Sequence, residues 1–405
     1  MTAIDSGALK TPAASAVAAE TAAGAKAATR TRLRNIDALR GVVMLFMAVD
    51  HVRETFYAYH PVTDPMLPLS IEPALFFTRI TSQLCAPVFV FLTGLSAFLY
   101  GQSHSKRETS LFLLKRGAFL VLLEATVVNF AWAAQTFPPT FWLQVIWAIG
   151  LCMIALAGLI HLPRGWQVAV GAAIVCGHNL LDPIVLTPAS PFYGIWGVLH
   201  QRALFHFGGG VVVKTSYPVL PWIGVILLGY AVGPWFGRGA DPVARRRALL
   251  GWGAALLAGY VVLRLANVYG DKPWVHTGQA LRTTMSFLAL TKYPPSLLFL
   301  APTLGIGLLL LAAFERLDEE RPIAWLALLG GAPMFFYIVH LYVIKALYYA
   351  AVATFGLNKG AWFGFDNVAS IWIAAALLVT AVYFPTRWFA QFKQRRRDLW
   401  WPRYL

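Results

Sequence analysis

The chain has 405 residues, of which 58% are hydrophobic and only 13% are charged, and its formal net charge is +15. Water-soluble domains carry about a quarter charged residues, so this composition excludes a soluble enzyme and predicts a membrane protein with several spans. The positive charge lies in short clusters between apolar segments, such as RTRLR at 30–34 and KQRRR at 393–397. That distribution is typical of the positive-inside rule, so the expected partner is the lipid bilayer and not nucleic acid.

The N-terminal segment, residues 1–33, is rich in Ala and Thr, and charged residues such as Asp5 and Glu20 interrupt its apolar blocks. A secretory signal needs an uninterrupted apolar stretch, so none is predicted here. We expect a disordered cytoplasmic tail over 1–33, a transmembrane domain over 34–392 and a basic cytoplasmic C-terminal tail over 393–405.

Ten apolar segments follow, most of them near the ~20 residues that a helix needs to cross a bilayer. They predict an all-α fold, a polytopic bundle of about ten transmembrane helices. The predicted helices are 38–59, 75–101, 109–133, 141–161, 166–182, 218–236, 246–267, 294–314, 322–350 and 367–391.

The connections between these segments differ in their content of Lys and Arg. The N-terminal tail, the even-numbered connections and the C-terminal end hold most of them, whereas 60–74 and 134–140 hold none. An even number of crossings with both termini cytoplasmic fits this pattern. The connection 268–293 is the exception, with three basic residues, but long translocated loops tolerate such charge.

The first predicted helix carries an unusual group of ionisable side chains: Asp50, His51, Arg53 and Glu54. His51 lies ten residues after Gly41, or roughly 15 Å of helix, which predicts a position near the middle of the bilayer. Ionisable groups at this depth are costly unless they face one another or a wet cavity. We therefore expect them to point into the bundle.

Two interpretations of this group stay open. In the first it is a salt-bridge network, Asp50 with Arg53 and Glu54 with Arg79 of the second helix, which pins helices together and does no chemistry. In the second it is a working site, because imidazole is the side chain best matched to taking and returning a proton near neutral pH. A carboxylate one turn from His51 would then fix the tautomer of the ring.

His60 is a second candidate base. The segment HPVTD places it four residues before Asp64, a His-x-x-x-Asp spacing that some soluble acyltransferases also have. The flanking prolines give this segment a different geometry, and a histidine near the outer interface is equally well explained as a solvated side chain.

The three cysteines, Cys85, Cys152 and Cys176, all lie in apolar stretches and form no CxxC. They indicate neither a disulfide framework nor a zinc site, and no metal is expected. Acyl transfer through Cys85 is the less favoured alternative to simple packing. Asn129 and Glu124 are further polar groups in an apolar run, and Glu124 is expected to pair with a basic neighbour.

Three residues further along the chain complete the set of candidates. Lys292 and Tyr293, before Pro294–Pro295, suit either a grip on a sugar or an ordinary anchor at the membrane interface. His340, in FFYIVHLY, is either a second proton-handling group or a hydrogen-bonded core histidine.

Four stretches carry a resemblance to a known family. They are RNIDALRGVVMLFMAVDHVR at 34–53, TRITSQLCAPVFVFLTGLSAFLYG at 78–101, TKYPPSLLF at 291–299 and GGAPMFFYIVHLY at 330–342. The first is similar to the opening "IDxLRGxxMxxMxxDHxR" of bacterial members of the heparan-α-glucosaminide N-acetyltransferase catalytic-domain family (DUF1624). The chain therefore resembles this family most specifically over 34–101.

The resemblance implies that the domain over 34–392 moves an acetyl group from cytoplasmic acetyl-CoA to a sugar amine or hydroxyl on the far side of a bacterial inner membrane. The bacterial motif favours the pair Asp50–His51 for catalysis, whereas the lysosomal relatives use a histidine whose nearest equivalent here is His60. Arg53 or Arg79 would stabilise the oxyanion, and basic residues such as Lys115 and Arg116 would hold the nucleotide of acetyl-CoA. A second copy of the chain, in a homodimer, is a further possible partner.

The main rival interpretation is a proton-coupled secondary transporter, which would use the same buried ionisable side chains as a proton relay. It gains support from the Gly and Pro interruptions of the helices. It loses support because the two halves of the sequence show no visible repeat and because the motifs match an acyltransferase family. Another kind of membrane acyltransferase, which moves acetyl or succinyl to a sugar hydroxyl, is a further alternative.

Overall fold

The computed structural model describes residues 12–317, 321–396, 398–399 and 401–404. This part of the chain is a helical bundle with one small sheet. Its α-helices are α1 Pro12–Phe56, α2 Pro73–Thr81, α3 Cys85–Gly101, α4 Lys106–Leu123, α5 Asn129–Ala133, α6 Val145–Leu159, α7 Arg164–Gly177, α8 Tyr193–Leu199, α9 Leu220–Ala231, α10 Pro242–Ala266, α11 Ala280–Leu288, α12 Leu297–Phe314, α13 Arg321–Gly330, α14 Pro333–Phe355 and α15 Val368–Arg395. A π-helical turn, Glu124–Val128, joins α4 to α5, and short 3₁₀ turns include Ser82–Leu84 and His178–Leu181.

Five helical segments of the described residues are long and apolar enough to cross a membrane. Each has at least 18 residues and a strongly apolar window, and they are Pro73–Gly101, Pro242–Ala266, Leu297–Phe314, Pro333–Phe355 and Val368–Arg395. The chain is therefore a mostly helical integral membrane protein. The apolar helices α6 and α9 are shorter, and a total of ten crossings with both termini cytoplasmic stays a prediction.

One predicted helix differs from the structure. The predicted helix 322–350 is two helices, α13 and α14, separated at Gly331–Ala332, because Pro333 at the first turn of α14 has no N–H to continue a helix. Helix α1 begins at Pro12, and the cytoplasmic tail over 1–33 stays a prediction. Residues 1–11 lie outside the described residues.

The all-α prediction also needs a correction, because three short strands form a sheet. They are β1 Thr140–Leu143, β2 Ala203–His206 and β3 Val212–Thr215. The order is β1-β3-β2, with β1 parallel and β2 antiparallel to β3. The sheet joins two connections between helices that are distant in sequence, which loop length and charge alone do not predict.

Helix α1 is the centre of the bundle and contacts α3, α12, α13, α14 and α15. It lies backbone to backbone against α13: a Cβ atom added at Gly330 would fall 1.8 Å from the carbonyl oxygen of Asp37. The pair α3 and α9 is equally close, since a Cβ at Gly229 would lie 2.1 Å from the carbonyl oxygen of Phe91. Small residues at such crossings let membrane helices pack closely.

Candidate active site

A cavity of about 740 Å³, called the larger cavity below, opens at one end of the bundle. The C-terminal end of α1, the start of the α2–α3 segment, the end of α5 and four connections form its wall. Its charged lining is Arg53, Glu54, His60, Asp64, Arg79, Arg202 and Lys292, and its aromatic lining is Trp132, Trp142, Tyr217 and Tyr293. Most of the candidate residues from the sequence therefore share one cavity.

A smaller cavity of about 300 Å³ lies nearer the other end of α1. Residues from the end of α3, from α4 and α6, from the α13–α14 break and from the end of α15 form its wall. The basic residues of the wall are Arg40, Arg116 and Lys393. Arg116 was predicted as a binding residue for the donor, whereas Lys115 is exposed and is not part of this lining.

His51 lies between the two cavities, among aromatic rings that belong to one or the other. Its ring is edge-on to that of Trp132, with centroids 5.1 Å apart, and Trp132 lines the larger cavity. It is also edge-on to Tyr337 at 5.9 Å, and Tyr337 lines the smaller cavity. His51 is thus within one side chain of each cavity.

The direct partner of His51 is His340 of α14. Nδ1 of His51 lies 2.7 Å from Nε2 of His340, and Nδ1 of His340 lies 2.8 Å from the carbonyl oxygen of Phe336. A carbonyl only accepts, so a neutral His340 carries its proton on Nδ1 and accepts through Nε2. We infer that His51 donates from Nδ1 and that its Nε2 has the free lone pair of a base.

This arrangement corrects the prediction that a carboxylate one turn away fixes the tautomer of His51. Both nearby carboxylates are engaged by arginines. Asp50 accepts from Arg53 at 3.0 Å and from Arg79, and Glu54 accepts from Arg53 at 3.0 Å. The partner that replaces the carboxylate is His340, which is fully buried and lies 289 residues away in the sequence.

The salt-bridge interpretation is therefore correct in part. Asp50 does pair with Arg53, but Glu54 also pairs with Arg53 and not with Arg79. Asp50 joins α1 to α2 through Arg79, whose guanidinium also donates to the hydroxyl of Ser82 at 3.0 Å. The network fixes two guanidinium groups in the wall of the larger cavity, beside His51.

His60 and Asp64 do not form the pair that their spacing indicated. His60 is exposed and its ring lies against those of Tyr57 and Tyr59, at 5.1 and 4.4 Å. Asp64 instead accepts the backbone N–H groups of Lys292 and Tyr293, both at 3.0 Å. Burial raises the pKa of the Asp64 carboxyl, and the N–H of Lys292 opposes that shift. Asp64 thus positions the segment that brings Lys292 to the cavity.

Lys292 and Tyr293 line the same cavity side by side. The ammonium of Lys292 lies 5.3 Å from the ring centre of Tyr293 and 5.9 Å from that of Tyr217, and the two tyrosine hydroxyls are 3.2 Å apart. The guanidinium of Arg202 lies over the ring of Tyr293, 5.1 Å from its centre. Cations and aromatic rings together offer both charge and flat apolar faces to a ligand.

Two predictions on other polar residues also have an outcome. The thiol of Cys85 is buried and donates to the carbonyl oxygen of Val43 at 3.1 Å, which is consistent with packing. Glu124 has no basic partner among the described residues; its carboxylate accepts the backbone N–H of Trp147 at the start of α6, at 3.2 Å. An acidic group suits a helix N-terminus.

Several lining residues were not among the candidates predicted from the sequence. Arg40, Arg202, Trp132, Tyr337 and Lys393 come from separate helices and connections. Arg40 belongs to the motif at 34–53, Tyr337 to the motif at 330–342 and Lys393 to the basic cluster at 393–397, but these stretches did not indicate a shared cavity. The lining residues meet only in the folded chain.

Comparison with known protein families matches residues 32–265 to the family described as "Heparan-alpha-glucosaminide N-acetyltransferase, catalytic". The matched region contains the whole Asp50–Arg53–Arg79 network, His51 and Arg116. His340, Lys292 and Lys393 lie beyond it. Comparison with curated proteins finds no match.

Proposed function

Because the chain belongs to the heparan-α-glucosaminide N-acetyltransferase catalytic family, we propose that it is a membrane acetyltransferase that takes its acetyl group from acetyl-CoA and delivers it to a sugar amine or hydroxyl at the opposite face. The observation that carries this proposal is the position of His51, between two cavities that open toward different ends of the bundle. Two substrates that approach from opposite faces would meet at that point.

The smaller cavity suits the donor. Acetyl-CoA carries several negative charges on its nucleotide, and Arg40, Arg116 and Lys393 supply positive charge to this cavity. These residues lie near the basic clusters that indicate the cytoplasmic side. The remaining wall is mostly apolar, with Phe89 and Met153 among its residues, which suits a thin pantetheine arm that brings the thioester toward His51.

The larger cavity suits the acceptor. Its tyrosine and tryptophan rings offer faces for a sugar ring, and Lys292 and Arg202 make no salt bridge among the described residues. They are therefore available to acidic or hydroxyl groups of the acceptor.

The reaction follows from the free Nε2 of His51. This atom takes a proton from the acceptor amine or hydroxyl while the acceptor nitrogen or oxygen attacks the thioester carbonyl. Arg79 or Arg53, held by Asp50, would stabilise the oxyanion of the tetrahedral intermediate. The carbon–sulfur bond then breaks, and His51 returns the proton to the leaving thiolate, so that the products are the acetylated sugar and free CoA.

The test uses protein purified in detergent, acetyl-CoA and a panel of amino sugars and neutral sugars, with release of free CoA as the readout. We expect His51→Ala to lower kcat by roughly 10²–10⁴-fold, and His161→Ala, an exposed histidine outside both cavities, to leave it unchanged. His60→Ala tests the second candidate base, and we expect a much smaller loss. Full activity in His51→Ala would overturn the site.

The same preparation distinguishes the transporter. Uptake of a solute into proteoliposomes without acetyl-CoA, together with no release of CoA for any acceptor, would favour transport. Release of CoA that depends on an acceptor would exclude a purely transporting protein.

A further inference from the structure

A second cluster of ligating side chains lies outside both cavities, where the end of α7 meets the connection to α9. It contains His178, Asp182 and His200, each with one ligand atom within 4.8 Å of the others. Asp182 is one helical turn after His178, and His200 follows α8 directly. The chain thus brings two imidazoles and one carboxylate together from two separate segments.

His178 is the observation that points to a ligand. Its side chain is only 2% exposed, yet neither ring nitrogen has a hydrogen-bond partner among the described residues. A buried polar group without a partner lowers the stability of the folded protein, so such groups call for an explanation. A neutral imidazole with a free lone pair is also the commonest metal ligand in proteins.

The other two side chains are held in positions that suit the same ion. Asn179 donates to Oδ2 of Asp182 at 2.9 Å, and Oδ1 of the same carboxylate lies 3.7 Å from Nε2 of His200. That separation is too long for a hydrogen bond but close to the edge of a tetrahedron with bonds of about 2.1 Å. His200 is 3% exposed, and its ring stacks on Trp196 at 5.1 Å, which restricts its rotation.

We propose that His178, Asp182 and His200 bind one divalent transition-metal ion, with Zn²⁺ the best match. Two imidazoles and one carboxylate form a donor set that zinc accepts, with the remaining position left to water. Binding would replace the present contact of Nε2 of His200 with the carbonyl oxygen of His178, at 2.9 Å, and would need a small rotation of the His178 ring. Asp182 is exposed and gives the ion a path from solvent. This site is separate from the transferase reaction. It also differs from the sequence-based prediction, made from the cysteines, that the protein binds no metal.

The ion would tie α7 to the connection that forms the rim of the larger cavity. Arg202 of the cavity wall is two residues after His200, and β2 begins at the next residue. Thr215 of β3 donates to the carbonyl oxygen of Gly197 in α8 at 2.6 Å, so the sheet and α8 are connected. A metal at this position would stabilise the connection that carries Arg202.

The test uses the full chain in detergent without a polyhistidine tag, stripped with a chelator and titrated with ZnCl₂. We expect one Zn²⁺ per chain by elemental analysis and a higher midpoint of thermal unfolding with the metal. Both Asp182→Asn and His178→Ala should weaken binding by roughly 10-fold or more. His206→Ala, an exposed histidine of the same connection, is the matched control and should bind as the unchanged protein does.

Asp182→Asn keeps an exposed polar side chain of the same shape, so it tests the site even where His178→Ala fails to fold. Stoichiometric binding that is lost in Asp182→Asn and kept in His206→Ala supports the site. Binding that is absent, or equal in all variants, overturns it and leaves His178 to an internal water. Zinc stoichiometry is independent of CoA release, so the failure of this site and the failure of the transferase proposal are distinguishable.

Discussion

His340 acts on the candidate base through a single hydrogen bond of 2.7 Å to His51. It selects the tautomer of His51 and takes no position in the wall of either cavity. Its expected role is therefore to position the base. The sequence had suggested two alternatives for His340, a proton-handling group or a core histidine. The motif at 330–342 marks this residue as part of the family pattern but does not say what it touches.

A substitution at His340 tests that role. We expect His340→Phe, which keeps an aromatic ring, to lower kcat by roughly 10-fold or more because His51 loses its acceptor, with little change in the KM for acetyl-CoA. The measurement is CoA release as a function of pH and of donor concentration. His340→Gln, whose amide oxygen can accept from His51, should recover part of the loss. Equal damage by both variants would show a packing role only.

The ion pairs of Asp50 make a separate prediction on stability. Asp50 is 8% exposed and is paired with two guanidinium groups. Removal of one partner from a buried pair costs about 3–5 kcal/mol, so Arg79→Gln should lower the midpoint of thermal unfolding in detergent. The double variant Asp50→Asn/Arg79→Gln should recover part of that loss while it stays inactive. A single variant as stable as the unchanged protein would contradict the network.

The helices show how far sequence reasoning reaches at the scale of elements. Hydropathy and Pro or Gly punctuation predicted the positions of most helices within a few residues, because those signals are local. The break between α13 and α14 also had a local signal, Pro333 after two glycines, although the hydrophobic run across it concealed the break. The sheet had no local signal, since β1 and β3 are some 70 residues apart in the sequence.

Helix packing gives a prediction at the same scale. Gly229 of α9 lies against the backbone of α3, whereas Gly251 of α10 has no atom within 4 Å of its potential Cβ. We expect Gly229→Ala to destabilise the protein by about 1–3 kcal/mol through overpacking. Gly251→Ala should be neutral or stabilise it by roughly 0.5–1 kcal/mol. Thermal unfolding in the same detergent compares the two, and equal shifts would show that the α3–α9 crossing tolerates a methyl group.

At the scale of the whole molecule, the proposal depends on which cavity faces which side. Thr63, in the lining of the larger cavity, and Ser105, at the start of α4, are both exposed. In a background with Cys176→Ser, a membrane-impermeant maleimide added to intact cells should label Thr63→Cys and not Ser105→Cys. Inverted vesicles should give the opposite pattern. The same side for both positions would contradict the meeting of two substrates from opposite faces.

The location of His51 has one more consequence, for the bilayer itself. His51, with Trp132 and Tyr337 at its edges, separates the two cavities, and it is also the expected catalytic base. The same thin layer of aromatic side chains would then both block the passage of ions across the membrane and carry out acyl transfer. Two requirements therefore act on these side chains: catalysis and a seal against ions. A substitution that opens a gap between them would let protons leak across the membrane as well as slow the enzyme.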